Sequence, residues 1–115
     1  MSYRFLAAAV LLAAALVPGA HAKEMPLEGM AILDEDYCAK GMNTEGCILS
    51  FHISGAAAKT LYDGMRAKAR QQECTGGLEK LEGGLSCIKD GAADYNCSFG
   101  YHFKQREFAG SGEDC

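Results

Sequence analysis

The sequence predicts a small single α+β domain: an antiparallel sheet of about four strands packed on one helix and crosslinked by disulfides. Three observations point there. Cys47 to Ile53 alternates side chains with the period of a strand. Residues 55–72 repeat apolar side chains with the period of a helix. Tyr95 to Phe108 alternates again, after a glycine-punctuated hairpin.

The chain opens with a leader. Arg4 supplies a basic start, Phe5 to Val17 is an unbroken apolar run, Pro18-Gly19 breaks it, and Ala20-His21-Ala22 follows. That is the pattern of a secretory signal peptide over residues 1–22, followed by one domain over 23–115. A transmembrane anchor needs about 20 apolar residues, more than this run holds. The expected location is periplasmic or secreted, with no stable membrane insertion after cleavage.

Six cysteines, Cys38, Cys47, Cys74, Cys87, Cys97 and Cys115, all follow the leader. An even count in a small exported domain reads as a disulfide framework. A zinc site is the competing reading. There is no C-x-x-C pair, and His52 and His102 are the only histidines after the leader. The expectation is therefore no metal and no cofactor.

In chain order, Met30-Ala31-Ile32-Leu33 is a short apolar segment, a strand or the start of a helix, and would add a strand at the sheet edge. Asp34-Glu35-Asp36 suits a turn or a helix first turn, where acids complement the macrodipole. As a calcium site it lacks a recognisable oxygen-ligand loop. Lys40 to Gly46 is a loop bracketed by Cys38 and Cys47. If those two pair, Met42, Asn43, Thr44 and Glu45 are held on a stapled loop and are the candidate binding residues. The plainer reading is that the bridge only secures a turn.

In the strand that follows, Cys47, Leu49, Phe51 and Ile53 share the inward face, and Ser50 and His52 the other. Ser54 is expected to cap a helix from about Gly55 to Gln72. Its apolar stripe is Ala58, Leu61, Met65 and Ala69, with Tyr62 beside it. Lys59–Asp63 and Asp63–Arg66 have the spacing to pair. The basic side chains toward its end suit the helix C-terminus, or an acidic partner. Gly76-Gly77 stops it.

Leu85 to Lys89 is the next strand, and Asp90 to Asp94 a turn. Tyr95 to Phe108 is a long strand or a bent pair, with Tyr95, Cys97, Phe99, Tyr101 and Phe103 on one face. Phe51 and Phe99 are thus expected in the core. A hairpin centred on Ala92 sets Cys87 opposite Cys97. The expected bridges are Cys38–Cys47, Cys87–Cys97 and Cys74–Cys115; the alternative joins Cys74 to Cys87 and Cys97 to Cys115.

The whole chain carries a formal charge of −4, and loss of Arg4 makes the domain more negative still. That argues against nucleic acid or anionic membranes as partners. No G-x-S-x-G elbow, glycine-rich phosphate loop or H-E-x-x-H motif occurs. The best enzymatic constellation is His52 with His102, which on neighbouring strands could share a surface with Ser50 and Lys104 for acid–base work on a phosphodiester. Two ordinary surface histidines are the plainer explanation.

The expected function is a small exported module that binds another protein, such as an inhibitor or immunity-type protein acting on a hydrolytic enzyme of the envelope. A small secreted hydrolase using His52 and His102 is the alternative, and a structural envelope factor the second alternative.

Overall fold

The computed structural model describes residues 22–112. Residues 1–21, which hold all but the last residue of the expected leader, and the terminal Cys115 lie outside them. The strands are β1 Glu28–Leu33, β2 Ile48–Ser54, β3 Arg70–Gln71, β4 Leu78–Glu82, β5 Leu85–Asp90, β6 Asp94–His102 and β7 Glu107–Ala109. The helices are α1 Glu35–Cys38 and α2 Gly55–Gly64. All pairings are antiparallel, in the order β1-β2-β6-β5-β4-β3, with β7 on β6. The class is α+β, but the expected four strands on one helix are corrected to seven strands and two helices among the described residues.

β6 is the centre. One of its edges carries β2, with Ile53 beside Cys97, Phe51 beside Phe99 and Leu49 beside Tyr101. Its other edge carries β5 along Asp94–Ser98 and then β7 along Gly100–His102. The segment from Tyr95 to Phe108 is thus a bent pair: the chain turns at Phe103–Arg106, where the Arg106 N–H donates to the His102 carbonyl at 2.8 Å.

The β3–β4 hairpin accounts for two of the additional strands, and β3 falls where helix was expected. α2 ends at Gly64, not at Gln72, because β4 supplies its end. Met65 turns to extended backbone (φ −70°, ψ 135°). Beyond it, the Arg66 and Ala67 N–H groups both donate to Glu82 Oε1 at 2.9 Å. Lys80 Nζ donates to the Tyr62 carbonyl at 2.9 Å, placing a cation at the negative end of the helix. Ala69 therefore leaves the apolar stripe and is exposed.

At the other end, Ser54 occupies the capping position but its side chain makes no cap hydrogen bond. The Glu28 carboxylate instead lies against Gly55, where a Cβ would stand 2.6 Å from its oxygen. An anion there suits the positive end of α2. α1 is a single turn capped by Asp34, whose carboxylate accepts from the Asp36 and Tyr37 N–H groups. That is the structural role of the acidic cluster.

The core lies where α2 crosses the sheet. Ala58, Tyr62 and Met65 pack on Cys87, Tyr95 and Cys97, all at most 8% exposed. Cys87 and Cys97, paired in register, form a cross-strand disulfide. Cys38 and Cys47 form a second. The alternative pairing of Cys74 with Cys87 and Cys97 with Cys115 is thereby excluded. Cys74 is itself disulfide-bonded, and the expected Cys74–Cys115 bridge falls on a residue outside the described ones. Phe51 and Phe99 are only half-buried, because ten residues of α2 cover one end of this face and leave the other open. Among the described residues no helix is long and apolar enough to cross a membrane.

Candidate functional site

The uncovered end of the inner face carries a connected aromatic cluster. Strand alternation puts Phe51, Phe99 and Tyr101 on that face, and β7 brings Phe108 beside Tyr101. Phe51 and Phe99 stack with centroids 4.9 Å apart and planes at 16°. Phe108 meets Tyr101 edge-on at 5.0 Å and Phe99 at 6.1 Å. Phe103 meets Tyr101 at 5.1 Å. Phe108 remains 66% exposed, and Leu33 on β1 40%. Rings left half in solvent offer a partner apolar area with little side-chain entropy left to lose.

The stapled loop stands at the same end of the sheet. Three backbone hydrogen bonds fold it: Gly41 N–H to the Cys38 carbonyl, Thr44 N–H to the Gly41 carbonyl, and Cys47 N–H to the Thr44 carbonyl, at 3.0–3.1 Å. Gly46 packs under the Tyr37 ring, where a Cβ would stand 2.9 Å from Cδ1. Two ties join the loop to the β6–β7 turn: the Phe103 N–H donates to the Cys47 carbonyl at 3.3 Å, and Lys104 Nζ lies 3.7 Å from Glu45 Oε2. Of the candidate binding residues, Met42, Asn43 and Glu45 are exposed and Thr44 half-buried. Met42 also leans back on the bridge, its sulfur 4.0 Å from Cys47 Sγ.

The two histidines share the opposite face but do not meet. His52 lies beside Ser98 and His102 beside Ile48. They are four residues apart along the ladder, roughly 14 Å at about 3.4 Å per residue. The His102 Nε2 is 2.7 Å from the Gly110 carbonyl, and the Ser50 hydroxyl donates to the Ser111 carbonyl at 2.8 Å. The C-terminal segment thus crosses this face and occupies both groups. Lys104 lies in the β6–β7 turn, paired with Glu45. The grouping of His52, His102, Ser50 and Lys104 that the hydrolase alternative needs does not form.

On the same face as the histidines, a groove of about 1020 Å³ runs past β4 and β5 to Gly110–Gly112. Its buried acid, Glu79, is held by Arg70 (3.4 Å), Gln72 (3.3 Å) and Ser86 (3.2 Å). Those bonds answer the need of a buried carboxylate for partners, so Glu79 serves the β3–β4 hairpin. Among the described residues no three His, Cys, Asp or Glu side chains converge as metal ligands would.

On the helix surface, among the described residues, one ion pair displaces the protonation of both its partners. The Lys59–Asp63 pair forms at 2.6 Å, with both side chains more than half exposed. The hydrogen bond to Lys59 holds the Asp63 carboxyl below its ordinary value, and the same bond raises Lys59. Arg66, past the end of α2, is not part of this pair. The half-exposed aromatic cluster was not foreseen. Its signal was the excess of rings from Tyr95 to Phe108 over what one helix can cover. Comparison with family models, curated proteins and solved structures finds no match.

Proposed function

We propose that the chain is a small exported binding module that engages another protein through the Phe51–Phe99–Tyr101–Phe108 face and the adjoining Met42–Glu45 loop. The observation that carries this reading is the aromatic cluster left open beside a doubly tied, disulfide-closed loop. Exposed rings on a rigid frame are the kind of anchor that dominates binding energy. The loop is already ordered, so little conformational freedom is lost when it docks. A partner that buries such a face would present an apolar patch rimmed with polar groups. A hydrolytic enzyme of the envelope, inhibited by occlusion, is the partner class we favour. The separation of the histidines weighs against the hydrolase alternative.

The test is capture from envelope extract, then titration of the isolated partner against variants. Phe108→Ser should weaken binding by at least about tenfold, and scrambling Met42–Glu45 with both flanking cysteines kept should do the same. His52→Ala with His102→Ala should bind like the parent. Turnover of a phosphodiester or peptidoglycan substrate, lost in each single histidine variant with circular dichroism unchanged, would replace this reading with the hydrolase.

A further inference from the structure

The sheet leaves one long edge open. Among the described residues β1 pairs only with β2, and all six of its residues are exposed. The opposite edge ends in β3, two residues long and carrying Arg70, which are the usual protections of an edge. β1 is six residues long, and past Glu28 at its start it reads Gly29-Met30-Ala31-Ile32-Leu33, without proline, lysine or charge. Met30 is 64%, Ile32 46% and Leu33 40% exposed. Of the acids at its two ends, Glu28 lies against Gly55 at the start of α2, and Asp34 caps α1. An unprotected apolar edge of this length is a template for another strand.

We propose that β1 pairs antiparallel with β1 of a second copy of this chain, about a two-fold axis normal to the sheet through Ala31. Residues 29–33 of β1 are complementary to themselves about that axis, with Glu28 opposite Asp34 of the second copy beyond them. Met30 faces Ile32 of the second copy on one side of the sheet, an apolar pair of exposed side chains. Gly29 faces Leu33 of the second copy on the other. There the structure has a hollow of about 310 Å³, lined by Leu27, Gly29, Ala31, Phe51, Ile53 and Phe99 among others. The small side chains at 29 and 31 leave room, and Leu33 of the second copy comes over it. Each copy thus supplies both the projecting residue and the space. A foreign strand would have to bring its own. Two copies bury on the order of 1,000 Å² in this contact, the lower end for a specific interface. The symmetry closes, so pairing removes the open edge without creating another. This contact does not depend on the partner-binding reading.

Sedimentation equilibrium of the purified protein at about 100 µM should give twice the chain mass. Met30→Lys with Ile32→Lys, at two exposed positions, should return the chain mass with circular dichroism unchanged, weakening association by about a hundredfold or more. Ala31→Cys should crosslink the two copies, because residues opposed across an antiparallel pair have Cβ atoms about 4.5–5.5 Å apart. Phe108→Ser should stay dimeric. A parent with the mass of one chain overturns the proposal. So does a dimer that survives the double lysine substitution, or one that Ala31→Cys fails to crosslink. A dimer lost in Phe108→Ser but kept in the double lysine variant would place the contact on the aromatic face instead, and overturns it too.

Discussion

Glu82 and Lys80 show how single side chains decide where α2 ends. Residues 65–72 contain Met65, Ala67, Lys68 and Ala69, good helix formers by local preference. Glu82 nonetheless takes the N–H groups of Arg66 and Ala67, and Lys80 takes the carbonyl of Tyr62. Both partners lie more than ten positions away in the chain, so no local pattern announces them. Glu82→Ala should lower stability by about 1 kcal/mol, the loss expected for hydrogen bonds to a charged group in a wet setting. A urea midpoint with unchanged slope checks it. A second residue-scale prediction concerns Asp63. Its folded-state carboxyl is held down by the bond to Lys59. The pair therefore stabilises the fold above the ordinary aspartate range, and that contribution is lost as pH falls through the depressed folded value. Both side chains are largely exposed, so the effect on stability is small. In an NMR titration, the Asp63 carboxyl should move up toward its ordinary value in Lys59→Met.

At the scale of elements, the strands with clean alternation were legible and those stabilised by charge were not. β2, β5 and β6 were placed from their apolar periodicity, and the register of Cys87 with Cys97 followed from the hairpin centre. β4 reads Leu-Glu-Lys-Leu-Glu, with charged side chains toward both faces. Glu79 is buried all the same, because Arg70, Gln72 and Ser86 satisfy it. Lys80 lies over the Tyr62 ring at 4.4 Å, a favourable place for a cation. Neither accommodation shows in a hydrophobic pattern. The short β3 and β7 depend on neighbours in the same way, and so does the exposure of the aromatic face. Half-burial also sets the scale of the core substitutions. Phe99→Ala should cost about 1.5–3 kcal/mol, below the 3–5 typical of a fully buried ring, and Phe108→Ala within about 0.5 kcal/mol. At Gly29 the limit is steric: a Cβ there would overlap the His52 carbonyl oxygen. Gly29→Ala should therefore detach β1 from β2, seen as faster amide exchange along both strands with β5 and β6 unaffected.

For the whole molecule, the two described bridges do different work despite similar spans. Cys38–Cys47 closes a separation of 9 residues and Cys87–Cys97 one of 10. Restriction of the unfolded chain is therefore nearly equal for the two, on the order of 2–3 kcal/mol each. The folded states differ. Both Cys87 and Cys97 are buried in the core under α2, whereas Cys47 is buried outside that core and its partner Cys38 is half-exposed at the rim. Replacing Cys87 and Cys97 together by alanine removes two packed sulfurs as well as the crosslink, and α2 loses part of its footing. Replacing Cys38 and Cys47 by alanine frees the loop while the β2–β6 ladder stays paired. The core double variant should thus have the lower denaturant midpoint of the two. The rim double variant should keep the sheet's amide protection and lose it from Gly41 to Cys47, where the backbone bonds of the loop depend on the closure. If the loop contributes to partner binding through its order, this variant should also bind at least about tenfold more weakly, through a faster dissociation rate. An unchanged affinity with a disordered loop would leave the aromatic face as the whole of the binding surface.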